Sequence, residues 1–376
     1  MKILLINSEF PPIGGGAGNA SANIARLLVK AGHEVVVLTA RYADLPHEEI
    51  RDGVRIVRVP SIRRKVDRSS ANEQLSFILA GGLWTIKILL SFRPDVSLAF
   101  FGMPSGMISL GLKFFFRIPY VISLRGGDVP GFRPYDFGFY HKLIGPFLRV
   151  IWGQAWAVVA NSDGLRQLAV QFDPNIPVRI IPNGVDLGCF APVQREWEPP
   201  VILSVGRLVR QKGLDLAIRA LASLQDINWR YEIAGDGPLR PNLELLANQL
   251  GIQGRVLFLG WQPSDKLPTL YQRANLFLFP SRHEGMPNAV LEAMASGLPV
   301  IATRIAGNEE LVVSGETGSL VPAEDVDALR AALAAMLQGE DARREMGAAS
   351  RRRVETHFAW EKVTEQYIQL LEKAVK

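Results

Sequence analysis

The sequence predicts an α/β protein made of two tandem, doubly wound, Rossmann-like domains. Three observations lead there. Apolar runs of a few residues alternate with amphipathic stretches along most of the 376 residues. Each run ends in turn residues, as strands covered on both faces of a parallel sheet do. The alternation lapses once, from Asp186 to Pro200, where DLGCFAPVQREWEPP has three prolines and no periodicity and marks a linker. The expected domains are residues 1–188 and 189–359, followed by a tail helix at 360–376.

The first domain opens on a buried-strand run, KILLIN. A Gly-rich turn follows, then the amphipathic ASANIARLLVKAGH and a second strand, EVVVLTA. That is a strand–helix–strand unit of the parallel kind. VRIVRV, DVSLAFF, PYVISL, AWAVVAN and VRIIPNG repeat the strand theme. After the linker it restarts with VILSVGR, a helix from Gly213 to about Leu224, WRYEIAG, and a helix near Leu239 to Leu250. RVLFLGW, ANLFLFPS, a glutamate-bearing helix, PVIATR and GSLVP follow. The tail places Val363, Tyr367, Leu370, Leu371 and Ala374 at helical spacing, one apolar stripe that must pack on something.

Composition narrows the class. Hydrophobic residues make up 48%, enough for two buried cores. The single cysteine, Cys189, excludes an internal disulfide and a cysteine-based metal site, and fits a reducing compartment. MKILLINSEFPP reads as a strand rather than a secretory signal, because Asn7 and Glu9 interrupt it. FILAGGLWTIKILLSF (Phe77 to Phe92) and VSLAFFGMPSGMISLGL (Val96 to Leu112) fall short of the roughly 20 apolar residues of a membrane span. Both are expected as buried strand and helix. A cytoplasmic protein is therefore expected.

Charge is uneven. Residues 1–190 carry 21 Lys and Arg against 14 Asp and Glu, a net of +7; residues 191–376 carry 21 against 23, a net of −2. The basic first half, densest at IRRKVDR (Ile62 to Arg68), points to an anionic ligand or membrane surface, or is a solvated loop. No basic stripe interleaved with aromatics is present, which disfavours nucleic acid.

The chemistry concentrates in HEGMPNAVLEAMASGLPV, which starts at His283. A helix should begin near Pro287 or Asn288 and end by Gly297. The amides of Asn288, Ala289 and Val290 would lack intrahelical partners and form an anion site. Glu284 precedes that end and Glu292 follows it by about one turn. Carboxylates accept hydrogen bonds from sugar hydroxyls, so a diphosphate flanked by two sugars fits the spacing. The alternative is a surface loop residue and a solvated helix face. GRLVRQKG supplies Arg207 and Lys212 at a strand's carboxyl end, suited to a diphosphate, or simply forms a basic turn. PPIGGGAGNAS allows close amide approach to an anion but matches neither the dinucleotide fingerprint nor a P-loop.

Taken in order, the GGG loop, SLRGGD, ANSDGL, IPNGVD, GRLVRQKG, AGDGP, FLGW and HEGMPNAVLEAMASGLPVIAT resemble glycosyltransferase family 4, retaining enzymes of the GT-B fold. The resemblance implies two Rossmann-like domains facing a cleft. The C-terminal one binds a nucleotide sugar and the N-terminal one the acceptor, and the last helix crosses back to the N-terminal domain. It implies Arg207 and Lys212 on the diphosphate, Glu284 on the transferred sugar and Glu292 on the ribose. The backbone of Gly285, Met286, Pro287, Asn288, Ala289 and Val290 would meet sugar and phosphate. Gly15 and Gly16 would approach the diphosphate, and the base would lie against Phe258 to Trp261, around Gly260. No metal is implied.

One departure stands out. Many members have a His where this chain has Arg125. Arg stays protonated, so a phosphate contact is expected of it, or an ion pair with Asp128. His33, His47, His141 and His357 fall in unrelated segments and are expected to face solvent or pack.

The expected function is retaining transfer of a hexose from a nucleoside-diphosphate sugar to a saccharide or lipid-linked acceptor, in surface polysaccharide or glycolipid assembly. The alternatives are a nucleotide-sugar epimerase or hydrolase on the same fold, or a non-catalytic sugar-nucleotide-binding protein. The basic half would suit a peripheral position on the cytoplasmic membrane face. Base, sugar, acceptor and linkage are not encoded in any motif identified, and acceptor choice is expected to depend on loops such as 129–139.

Overall fold

A computed structural model describes residues 1–64, 69–132, 134–194 and 199–376, so much of the IRRKVDR run and part of the 129–139 segment lie outside the described residues. The chain divides into two units, Met1–Asn183 with Trp360–Lys376, and Gly184–Ala359. The first division falls a few residues before the proline-rich lapse, because Val185 is already buried in the second unit's core.

In the first unit the apolar runs become β1 (Lys2–Ile6), β2 (Glu34–Ala40), β3 (Glu48–Arg51), β4 (Val54–Val59), β5 (Val96–Phe100), β6 (Tyr120–Leu124), β7 (Ala157–Ala160) and β8 (Val178–Ile180). The helices are α1 (Gly16–Lys30), α2 (Ala71–Ser91), α3 (Gly106–Phe116), α4 (Pro134–Gln154) and α5 (Asp163–Phe172). The strand order is β3-β4-β2-β1-β5-β6-β7-β8. All pairs are parallel except β3 with β4, whose antiparallel hairpin turns on Asp52 and Gly53, both at positive φ. That edge strand was not expected, although Asp-Gly between two runs is a strong hairpin signal.

Alternation along β1 sets the layers. Ile3 and Leu5 join the core under α1, whereas Leu4 and Ile6 face the layer holding α2 and α3. α4 and α5 continue that layer over β6 and β7. β5 and α3 account for the Val96–Leu112 stretch as expected. The Phe77–Phe92 stretch needs correction. It belongs to a 21-residue helix long and apolar enough to cross a membrane, and only its inner side is buried. The helix starts earlier than expected because Ser70 and Glu73 form a capping box, with Ser70 N–H donating to the Glu73 carboxylate at 2.6 Å.

The second unit contains β9 (Val201–Val205), α6 (Leu214–Ala222), β10 (Arg230–Ala234), α7 (Arg240–Gln249), β11 (Val256–Gly260), α8 (Leu267–Arg273) and β12 (Leu276–Phe279). It continues with α9 (Asn288–Ala295), β13 (Val300–Thr303), α10 (Ala306–Leu311), β14 (Gly318–Val321), α11 (Val326–Gln338) and α12 (Glu340–His357). Its sheet is wholly parallel, in the order β11-β10-β9-β12-β13-β14. From β9 the chain winds outward to β11, then returns to the other side of β9 as β12. β9 and β12 therefore flank a topological switch point, where ligands bind in open α/β sheets.

The tail forms α13 (Trp360–Val375) and packs on the first unit. Trp360, Val363, Tyr367, Leu370 and Leu371 are buried beside Leu27 and Leu28 of α1, which gives the apolar stripe its partner. The Tyr367 hydroxyl lies 2.8 Å from the buried Ser123 hydroxyl of β6. Tyr367→Ala should cost about 3–5 kcal/mol in urea unfolding, from lost ring packing. Tyr367→Phe should cost only about 1–2 kcal/mol, for an orphaned hydroxyl. Equal losses in the two variants would contradict this division.

Candidate functional site

Two loops leave the sheet at the switch point. One, Gly206–Gly213, follows β9; the other, Pro280–Pro287, follows β12. Their approach is close enough to require glycine. Gly213 has φ +61°, and a Cβ there would sit 2.0 Å from the Pro280 carbonyl oxygen. Gly307, in α10, packs as tightly on the other side of the second loop, where a Cβ would sit 1.9 Å from the Gly285 carbonyl oxygen.

Hydrogen bonds then stitch the loops together. The Arg282 N–H donates to the Gln211 carbonyl at 2.7 Å, and Gln211 Nε2 donates to the His283 carbonyl at 2.8 Å. The Arg282 guanidinium donates to Asp215 at 2.9 Å through both Nη atoms, and also reaches Glu324 and the Arg210 carbonyl. The two carboxylates hold its pKa above the ordinary guanidinium value, with the Asp215 hydrogen bond the largest cause, and the same bond lowers the pKa of half-buried Asp215 against the effect of burial. Arg282 is one residue before the sequence-predicted stretch and was not expected. Its role is set by partners 67 and 42 residues away, which no local pattern reveals.

That stitching brings Lys212 and Glu284 together. Lys212 Nζ lies 2.7 Å from Glu284 Oε1, with the side chains 19% and 10% exposed. Ser281 Oγ donates to the same carboxylate oxygen at 2.7 Å, and Lys212 Nζ sits 4.8 Å from the Phe279 ring centroid. Lys212 also lines a small crevice with Ser204, Gly206, Phe279 and Pro280. Arg207 is on the same β9 loop and is exposed.

α9 starts at Asn288 with Pro287 as its N-cap residue and stops before Gly297, whose φ is +72°. One expected free amide is not free: Val290 N–H donates to the Pro287 carbonyl at 3.1 Å, because the first turn is tight. Met286 is buried at 7% exposure and anchors the loop from below. Glu292, in the second half of α9, accepts a 2.8 Å hydrogen bond from Tyr271 Oη of α8. Burial pushes Glu292 up to about 7, and the Tyr271 bond acts in the opposite direction. Glu284 and Glu292 therefore differ in kind: one faces a cation, the other a phenol.

Gly260 ends β11 at φ +69°, and its carbonyl accepts from Gly235 N–H at 2.8 Å. Trp261 follows with its side chain out, at 73% exposure.

The first unit has its own switch point, between β1 and β5, where the chain returns from β2 and β4 to the other side of β1. Gly15 caps α1 and Gly16 opens it; both are exposed, and Gly15 has nothing near a would-be Cβ. Buried Asn7, which sequence reasoning did not single out, holds this loop by donating to Ser21 Oγ at 2.9 Å and the Ala17 carbonyl at 3.3 Å.

Arg125, at the end of β6, is directed inward. Its Nη1 donates to Asn183 Oδ1 at 2.6 Å, its Nη2 to Tyr367 Oη at 3.3 Å, and its plane lies 4.5 Å from the Phe100 centroid. Its Nε is buried without a hydrogen-bond partner. The ion-pair alternative with Asp128 takes a different form. Asp128 accepts backbone N–H groups from Gly102, Arg125 and Gly126 at 2.8, 3.0 and 3.1 Å, which hold the loops after β5 and β6 together. Burial raises the Asp128 pKa and those three donors oppose the rise. His141 packs, 5% exposed, with Nε2 2.9 Å from the Gly127 carbonyl.

Two family models match the chain almost end to end. Residues 14–188 match Glycosyltransferase Family 4 and residues 190–353 match Glycosyl transferases group 1. The chain is 28% identical to the GDP-mannose-dependent α-(1-6)-phosphatidylinositol monomannoside mannosyltransferase of Mycolicibacterium smegmatis, over 95% of each chain. Among solved structures, sucrose-phosphate synthase of Thermosynechococcus elongatus superposes with a TM-score of 0.85 at 23% identity, covering 99% of this chain and 98% of that one. Anabaena HepE, solved with UDP and glucose, superposes with a TM-score of 0.77 at 19% identity, over 99% of this chain and 100% of that one. With each half of its sequence matched to such a model, and with these enzymes sharing its fold, the chain belongs to the family 4 glycosyltransferases and has the GT-B fold.

Proposed function

We propose that the protein transfers a hexose, with retention of anomeric configuration, from a nucleoside-diphosphate sugar to a saccharide or lipid-linked saccharide acceptor in surface polysaccharide or glycolipid assembly. The observation that carries this reading is the Lys212–Glu284 pair, held at the switch point on the loop that also carries Arg207 and on the loop that leads into α9. A diphosphate beside Lys212 and Arg207 meets two cations. Sugar hydroxyls beside Glu284 meet an acceptor-only group. Glu292, half-buried and bonded to Tyr271, suits the ribose, and the exposed Trp261 suits a base. The M. smegmatis relative uses GDP-mannose by name and HepE was solved with UDP, so the base is left open between them.

In the proposed step the bond from the sugar's anomeric carbon to the diphosphate oxygen breaks and a bond to the acceptor oxygen forms on the same face. The acceptor's proton passes to the departing diphosphate oxygen. Lys212, Arg207 and the amides at the start of α9 stabilise charge as it develops there. With those donors in place the reaction needs no metal ion.

Three measurements test this reading. Glu284→Ala should bind the nucleotide but lose transfer by a factor of about 10² or more, whereas Lys212→Ala should weaken nucleoside-diphosphate binding by about 1–3 kcal/mol; unchanged turnover in both overturns the assignment. A chelator added to an assay with a panel of UDP, GDP and ADP sugars should leave the rate unaltered, and a rate restored only by added Mg²⁺ or Mn²⁺ would refute metal independence. The third concerns pH. Glu292 sits near 7 when folded against 4.5 when exposed, so the stability it contributes is full below 4.5 and is lost as pH rises through 7. That loss is at most about 3 kcal/mol. Glu292→Gln should remove it from urea unfolding curves taken at pH 5 and 8. If the carboxylate accepts ribose hydroxyls, wild-type affinity for a nucleotide sugar, whose phosphate diesters do not titrate in this range, should fall below pH 7 while the Gln variant stays flat.

A further inference from the structure

The layer of α2, α3 and α4 over the first sheet carries apolar side chains on both its faces. Along α2 the inner positions are Phe77, Gly81, Thr85 and Ile88, all buried. Gly81 sits against Ile108 of α3, so the helix is seated on the layer rather than standing away from it. Leu75, Leu79, Leu83, Ile86 and Leu90 keep the same spacing two positions out of phase, and are 51–86% exposed. Two positions turn a helix by about 200°, so this is the opposite face. The outer side continues in Phe114, Phe115 and Phe116 at the end of α3, at 62%, 82% and 49% exposure. On α4 it continues in Leu143, Phe147 and Val150, at 66%, 57% and 52%. Among the described residues, eleven of the twenty exposed large hydrophobics lie on these three helices. Scattered exposed leucines need no explanation, but a contiguous apolar face does.

Among the described side chains of these three helices, the exposed charges are cationic. Lys87, Lys142 and Arg149 are exposed on the helices and Arg117 directly follows α3. Lys87 Nζ lies 4.6 Å from the Trp84 ring centroid, its stem laid along the apolar surface. Among the described side chains of the three helices the one carboxylate, Glu73, is buried and bonded to the Arg64 and Ser70 N–H groups. An apolar face bordered by cations, with the helices lying along the sheet, matches an anionic bilayer surface rather than a bilayer interior.

We propose that the outer face of α2, α3 and α4 docks the protein onto an anionic phospholipid membrane, with the leucines of α2 entering the headgroup–acyl boundary. No residue of this face belongs to the second unit, so the docking can fail while the transfer reading stands, and the reverse. The test uses the full chain, with flotation on phosphatidylcholine vesicles either alone or containing about a third phosphatidylglycerol. Wild type should partition to the anionic vesicles and weaken in high salt. The double variant Leu79→Glu, Leu83→Glu should lose roughly tenfold or more in partitioning, with an unchanged melting temperature and unchanged nucleotide binding. Lys142→Glu with Arg149→Glu, which leaves the apolar stripe intact, should lose the preference for anionic vesicles. Equal flotation of wild type and both variants would overturn the proposal. So would a wild-type dimer that the leucine variant converts to monomer without any vesicle binding, since the face would then join two copies of the chain.

Discussion

The loop after β9 and the loop after β12 occupy almost the same space, and the site depends on that closeness. A parallel sheet with a reversal of winding makes the two strands neighbours although 70 residues separate them. Neighbouring strands alone would leave their loops several ångströms apart. Gly213 removes the side chain that would hold them apart, and Arg282 closes the gap with hydrogen bonds to Asp215, Glu324 and the Arg210 carbonyl. Lys212 and Glu284 meet as a consequence. Each is largely withdrawn from water, and such a pair recovers its desolvation cost only with further partners. Ser281 and the Phe279 ring supply them. The arrangement makes a poor stability device, since an apolar pair would fill the same space at less cost. It makes a good recognition device, since a cation and an acceptor are held side by side before any ligand arrives.

The two glutamates divide their work by environment. Glu284 is balanced by a cation, so its charge is compensated where a sugar's hydroxyls would lie. Glu292 accepts from the Tyr271 phenol instead of facing a cation, and burial brings its pKa to about 7. The ribose contact proposed for a group so poised would be sensitive to pH near neutrality. Tyr271 fixes its orientation, being itself packed between Phe190 and Phe277 at centroid distances of 5.6 Å in each case. The ribose contact proposed for Glu292 thus rests on a side chain in α8 that carries no motif.

What the sequence could reveal follows from range. Strand runs, the restart after the prolines and the loop residues at strand ends are local, and Arg207, Lys212 and Glu284 were legible at that level. Local signals also exist for β3, in Asp52-Gly53, and for the start of α2, in Ser70 and Glu73. Arg282 and Tyr271 had no local signal, because their partners lie between 18 and 72 residues away in sequence. Arg125 is the instructive case. A phosphate contact or an ion pair with Asp128 was the expectation from SLRGGD, yet the guanidinium, just after β6, turns toward Asn183 and Tyr367. Tyr367 lies 242 residues on, in a helix whose return to this sheet the motif does not encode.

The apolar outer side of α2 poses the converse question, because packing does not demand it. The inner positions already seat the helix through Phe77, Gly81 and Ile88, and the outer leucines add nothing to that core. Glutamates and lysines at those positions would keep helix propensity and gain solubility. Leucine there has the same propensity but adds the risk of aggregation, so fold stability cannot be the reason for it. Mean hydropathy cannot distinguish the two roles, since a helix apolar on all sides scores alike whether it is buried or laid on a surface. Only the exposure of each side chain separates them, and it places the leucines outside and the carboxylate inside. A soluble core helix of the same composition would show the opposite order.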